Sequence, residues 1–372
     1  MVPPANLCVA EPGRGCPAGS SATLLAGSSG AGKPSRFVGR PGRHPGVVTD
    51  TLEASRTAIT RVPLSTAPLP PLDATSRPWP GDHVEVAGHR VHVRRTPGPG
   101  SATAVYVHGL GGSATNWTDL AAQLSGHVDG HALDLPGFGR SEPIPGYTFS
   151  LTTHAEVVAG YVESLGVGPV HLFGNSMGGA IALIVAATRP ELVRTLTLVS
   201  PAVPDLRPSL RRVSDPRLPL AFLPVVGARV RQRLAAVSPR ERAQQMLRLC
   251  FADPSLVPDC RIEQSEEEYA ERSGQPWAGM ALGRSTVELI RAWLVPRSRS
   301  LWLLLPRVAA PALVVWGAED RLVSVRKAPR VARLLPRGRL LVLPRTGHVA
   351  QMERPESVAR AVLGMWETGE TW

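Results

Sequence analysis

From residue 104 towards the C-terminus, short apolar runs alternate with longer stretches of helical character, and this alternation constrains the fold more than any other feature of the chain. The strand candidates are Ala104 to Val107, His131 to Leu135, Val170 to Phe173, Leu196 to Val199, Ala312 to Trp316 and Leu340 to Leu343. Helical stretches fill most of the gaps, at Leu151 to Leu165, Met177 to Arg189, Arg326 to Leu335 and Pro355 to Trp366. Strands that are apolar throughout need cover on both faces, which predicts an α/β fold with a mostly parallel central sheet flanked by helices. Ahead of them His83, Glu85, Val91 and Val93 alternate around Ala87-Gly88-His89, which predicts a hairpin.

Two regions break the rhythm. Residues 1–75 are rich in Pro, Gly, Ser, Ala and Thr without a helical or strand period, which predicts a disordered tail. Its first fifteen residues lack the basic start and apolar run of a secretory signal. Within it, Gly27 to Lys33 copies the spacing of a phosphate-binding loop. Pro34 stands where a hydroxyl and a continuing helix are needed, so nucleotide binding is not expected. Residues 204–305 look helical and hold no clear strand. They read as an inserted cap over the carboxyl end of the sheet, where ligands bind in such folds. The expected division is a tail at 1–75, a core at 76–203 and 306–372, and the cap between.

Composition narrows the partners. The net charge is +11, but lysine occurs only at Lys33 and Lys327, so 39 of the 41 basic residues are arginine. That is a bias of composition. With no basic stripe interleaved with aromatics and no nucleic-acid-binding spacing, no nucleic acid partner is expected. Ten arginines between Arg207 and Arg248 face only Asp215 and Glu241, around the apolar Leu218 to Val226. Such a surface suits weak contact with anionic lipid or an acidic substrate, although a solvated cap is the simpler account. Glu266 to Glu268 read as a solvated acidic patch. Cys8, Cys16, Cys250 and Cys260 are too few for a disulfide framework or a zinc site, so a reduced cytoplasmic protein without metal is expected. The apolar run Ala180 to Ala187 is far short of the roughly 20 residues of a membrane span.

The chemistry lies in four turns that each follow a strand. Gly174-Asn175-Ser176-Met177-Gly178 joins an apolar strand to an apolar helix. A serine on so sharp a turn has strained backbone angles, and the residues two before and two after it must be small, hence Gly174 and Gly178. Ser176 then sits at a helix N-terminus that favours developing negative charge. A hydroxyl needs a base, and an imidazole base needs a carboxylate to fix its tautomer. His348 and Asp320 each follow a strand and so share the sheet edge with Ser176, in the chain order Ser, Asp, His. Asp320 competes with the neighbouring Glu319. The glycine turn His108-Gly109-Leu110-Gly111-Gly112 aims backbone N–H groups over the same edge, so Leu110 and Met177 are the expected oxyanion donors. His108 and Asp134 read as structural supports of their turns.

HGLGG at 108–112, DLPGFGRS at 134–141, GNSMGG at 174–179, WGAEDRLV at 316–323 and TGHVAQMERPE at 346–356 together resemble an α/β-hydrolase with a helical cap, over residues 82–368. The resemblance implies the same nucleophile, acid (Asp320, matched by the family motif) and base, and needs no cofactor. It points to a small ester or acyl substrate, lipidic substrates included; the oligomeric state stays open. GNSMGG and Ala350-Gln351-Met352-Glu353 also resemble the hydrolases that cleave carbon–carbon bonds of ring-fission products. Against that, Val349 replaces their tryptophan, and Gly111-Gly112-Ser113 replaces their glycine-proline-glycine. Ester hydrolysis is therefore the expected reaction, with C–C hydrolysis and a non-catalytic binding module as alternatives. Ser176 speaks against the epoxide hydrolases and haloalkane dehalogenases, which place aspartate there.

Overall fold

A computed structural model describes residues 62–73, 75, 77–205, 237–369 and 372. The phosphate-loop-like segment, most of the expected tail and seven of the ten arginines lie outside these residues. Among the described residues one sheet of eight strands forms: β1 (Gly81–Val86), β2 (His89–Thr96), β3 (Thr103–Val107), β4 (Asp129–Leu133), β5 (Val170–Asn175), β6 (Val193–Val199), β7 (Ala312–Gly317) and β8 (Gly338–Leu343). Their order is β1-β2-β4-β3-β5-β6-β7-β8. β1 and β2 pair antiparallel, as does β2 with β4, and the rest is parallel. The hairpin turns at Ala87 and Gly88, both at positive φ, which matches the twist of the strands it joins.

β3, β5 and β7 are buried at every residue, as their mostly apolar sequences require. Helices cover both faces: α1 (Thr118–Leu124), α2 (Leu151–Leu165), α3 (Met177–Thr188), α7 (Ala328–Leu334) and α9 (Pro355–Glu367), with the short α8 (Ala350–Glu353) before the last. α2 starts where Ser150 Oγ accepts from Thr153 N–H and stops at Gly166 in the left-handed conformation. α3 is buried from Met177 to Ala186, apolar all round, because it lies between the sheet and other helices. Between β6 and β7 come α4 (Pro239–Cys250), α5 (Asp259–Ser273) and α6 (Ala278–Leu294). No described helix is long and apolar enough to cross a membrane.

Two boundaries differ from expectation. β4 ends at Leu133, so Asp134 and Leu135 belong to the turn, where the Asp134 carboxylate takes up backbone N–H groups instead of the strand. Residues 62–73, expected in the tail, pack on the core: Ser65 N–H donates to Arg360 C=O at 2.9 Å, and Gln123 donates to Pro70 C=O. Their composition reads as tail because the stabilising contacts come from α1 and α9, far away in sequence.

The chain leaves β3 towards β4 and leaves β5 in the opposite direction. The crevice between these two exits is where ligands bind in open α/β sheets. The glycine turn follows β3 and the serine turn follows β5.

Candidate active site

Ser176 stands at φ 54°, ψ −117°, a conformation that costs a non-glycine residue about 1–3 kcal/mol. Its backbone is held on three sides: Ser176 N–H donates to Val199 C=O at 3.0 Å, and Ser176 C=O accepts from Ala180 at 3.1 Å and Ala202 at 2.8 Å. The flanking glycines are obligatory. A Cβ on Gly174 would come within 2.3 Å of Gly178 O, and one on Gly178 within 2.2 Å of Val107 O. Met177 is the first residue of α3, so its N–H has no acceptor within the helix.

The glycine turn is fixed by its own carbonyl. Gly109 C=O accepts from Gly112 N–H at 3.0 Å and from His108 Nδ1–H at 2.7 Å. Leu135 N–H donates to His108 Nε2 at 3.0 Å, which makes Nδ1 the protonated nitrogen. Burial pulls the His108 pKa down, so the ring is neutral and structural, as expected. In a trans peptide N–H and C=O point opposite ways. With Gly109 C=O held by His108, Leu110 N–H is turned to the other side of the 109–110 peptide. Gly109 lies against Ser176, with 3.1 Å between a built Cβ and Ser176 Cβ, and Gly111 takes the positive φ of the turn.

Asp320 and His348 meet. His348 Nδ1–H donates to Asp320 Oδ2 at 2.9 Å, both side chains being buried. The other carboxylate oxygen accepts from Leu322 N–H at 2.8 Å and Val323 N–H at 2.9 Å. Burial alone would raise the Asp320 pKa, but His348 and these two N–H groups outweigh it and hold the carboxyl below the usual range. Glu319 instead spends its N–H on Thr346 C=O. His348 Nε2 is buried without a hydrogen-bond partner. No hydrogen bond joins it to Ser176 Oγ in this structure; the His348 loop is tied to the serine turn through Asn175, whose Nδ2 donates to His348 C=O and Val199 C=O at 3.1 Å each. Asn175 adjoins the expected nucleophile, but nothing in a sequence shows which carbonyls an amide will reach.

The insertion adds polar contacts the sequence did not reveal. Arg272 of α5 donates to Gly111 C=O at 2.6 Å, and Glu268 accepts from Ser113 Oγ at 3.1 Å. Glu268 is thus no part of a solvated patch: a helix period turns it towards the glycine loop while Glu267 stays exposed. Arg261 pairs with Asp119, and Arg140 with Glu271 at 2.9 Å.

A mostly parallel sheet with a strained serine between strand and helix defines the class, and residues 105–355 match the alpha/beta hydrolase fold; the chain belongs to this family. It is 29% identical over 280 residues to an uncharacterized hydrolase, YugF, of Bacillus subtilis, covering 74% of this chain and 94% of that protein. It is 30% identical over 283 residues to a 2-hydroxy-6-oxononadienedioate/2-hydroxy-6-oxononatrienedioate hydrolase of Burkholderia vietnamiensis, covering 74% and 90%. Among solved structures it is similar to a bacterial membrane phospholipase A, with a TM-score of 0.64, 27% identity and coverage of 87% and 93%.

Proposed function

We propose that the protein is a serine hydrolase that cleaves a carboxylic ester or related acyl compound. The observation that carries the reading is the Asp320–His348 pair, laced to the serine turn through Asn175, with the ring's Nε2 left uncommitted. Asp320 holds the proton on Nδ1, so Nε2 of the neutral ring is the acceptor. Nε2 takes the proton of Ser176 Oγ as that oxygen attacks the acyl carbon; the oxyanion is met by Met177 and Leu110 N–H groups. The imidazolium then protonates the departing alkoxide, and a water activated by the same nitrogen releases the acid. Catalytic hydrogen bonds of unliganded sites are commonly long, which fits the open Ser176–His348 bond. Residues 76–203 and 306–372 form the core in this reading, and 204–305 the cap that shapes the pocket.

C–C hydrolysis is the second reading, favoured by the Burkholderia relative and by Ala350-Gln351-Met352-Glu353. Val349 and Gly111-Gly112-Ser113 keep ester hydrolysis ahead. Lipidic esters are included, in line with the phospholipase likeness. The test is turnover of p-nitrophenyl esters of increasing chain length beside a ring-fission diketone, by wild type and Ser176→Ala. Ester turnover lost in Ser176→Ala at unchanged melting temperature is expected. Activity retained in Ser176→Ala refutes the reading, and turnover of the diketone alone replaces it with the second. Failure of a fluorophosphonate to label Ser176 would favour a binding module.

A further inference from the structure

The end of α4 touches both loops that carry the acid and the base. His348 N–H donates to Cys250 C=O at 2.6 Å. The Glu353 carboxylate bridges the same pair of segments: Oε1 accepts from Gly347 N–H at 2.6 Å and Oε2 from Ala252 N–H at 3.0 Å. On the other side Arg321, the neighbour of Asp320, donates to Arg248 C=O at 2.5 Å, Phe251 C=O at 3.2 Å and Ala252 C=O at 3.4 Å. The last carbonyls of a helix lack partners within it and carry the negative end of its dipole, so a guanidinium suits them. Apolar packing follows the same path. Leu247, Cys250, Phe251 and Val349 form a small buried cluster, with Leu322 and Met352 against it. Leu322 lies two residues beyond Asp320, and Val349 one beyond His348. There is no slack: a Cβ on Gly347 would come within 2.3 Å of Cys250 O.

We propose that the C-terminal end of α4 sets the register of Asp320 against His348, with Arg321 and Glu353 as the positioning residues. The insertion then helps build the reacting geometry as well as covering it. The role of this register in turnover rests on the serine hydrolase reading; the register itself does not. If the contacts only glued the insertion to the core, removing one would lower stability and leave the acid–base pair unaltered.

The test uses the full chain and a readout independent of activity, the low-field proton NMR resonance of the His348 Nδ1–H, assigned by its loss in His348→Ala. The second buried Asp–His pair, Asp134 with His92, supplies an internal reference for folding. Arg321→Met and Glu353→Gln should shift or broaden the His348 resonance and leave that of His92 in place. On any substrate turned over, kcat should fall about ten- to hundredfold with KM within about threefold, the scale expected of a misplaced catalytic group. Arg321→Lys, which keeps one charged donor, should recover part of the loss. Arg321 is exposed, so Arg321→Met removes no core volume and decides the matter even if Glu353→Gln does not fold. A His348 resonance unmoved in folded Arg321→Met overturns the proposal. Wild type that shows the resonance but turns over neither ester nor diketone sinks the hydrolase reading alone.

Discussion

Two aspartates in this molecule are set up almost alike. Asp134 follows β4 and Asp320 follows β7; each is buried and accepts a histidine Nδ1–H, at 2.8 Å from His92 and 2.9 Å from His348. Each also accepts two backbone N–H groups, from Ala114 and Arg140 in one case and from Leu322 and Val323 in the other. In both, burial pushes the carboxyl pKa up and is more than reversed, chiefly by His92 and the Ala114 N–H at Asp134 and by His348 and both N–H groups at Asp320. The pairs differ in the far side of the imidazole. His92 sits within β2, its ring against Gly81 of β1, where a Cβ would come within 2.7 Å of Nε2. His348 leaves Nε2 without a partner on a loop tied to the serine turn. A buried carboxylate–imidazole pair is therefore no sign of catalysis by itself. What matters is whether the second nitrogen has a reacting group to serve.

The sharpest way to break the comparison is to remove each ring. His348→Ala should lower kcat on a p-nitrophenyl ester by about 10⁴-fold or more and also cost about 1–3 kcal/mol of stability, because Oδ2 of the buried Asp320 carboxylate loses its histidine partner. His92→Ala should share the loss of stability but spare the activity. It should cost about 1–3 kcal/mol of stability, because one oxygen of a buried carboxylate loses a partner, and keep kcat within about tenfold. Comparable losses of activity in both variants would show that the contrast is wrong. Exchanging the acids gives the next effect: Asp320→Asn should lower kcat by about 10⁴-fold through loss of the required tautomer, whereas Asp134→Asn should show its loss in chemical denaturation.

The contrast also marks how far the sequence could be read. The strands were legible because buried parallel strands need unbroken apolar runs, and the serine turn because only glycine fits beside it at 174 and 178. Asp320 and His348 were legible as residues just past strands, which the topology carries to one edge. The Asp134–His92 pair was not, since His92 sits within the antiparallel hairpin strand β2, 42 positions from its partner, without any turn to flag it. Nor were Asn175, Arg321 and Glu353 as supports, because their partners are backbone atoms, which carry no sequence signature. Arg272 and Glu268 depend on how α5 docks, and that is a tertiary fact.

A smaller effect tests the crowding around His348. Gly347→Ala should lose stability, because the added methyl meets the backbone of Cys250 and Ala252, and in the protein that still folds it must push the end of α4 away from His348. A fall in kcat of about 10²-fold with native circular dichroism is expected. Wild-type kcat would mean that the position of the α4 end does not matter to turnover.

The smallest effect is on acid stability, where the two pairs should act in parallel. Asp134 and Asp320 have folded pKa values below their ordinary value of 3.8. Each carboxylate therefore contributes stability that is fully present above 3.8 and is lost as pH falls towards the depressed folded value. Burial of Glu353 works the other way: despite its two N–H partners its folded pKa lies above 4.5, so its contribution is present below 4.5 and is lost as pH rises through the folded value. Denaturant titrations between pH 2.5 and about 6 should show stability falling at the acid end in wild type and falling less steeply in Asp134→Asn. In Glu353→Gln the acid end should stay steep, while the decline on the neutral side should flatten. An Asp134→Asn profile as steep as wild type would mean that His92 and the Ala114 N–H do not depress that carboxyl, and the electrostatic half of the likeness between the pairs would fail.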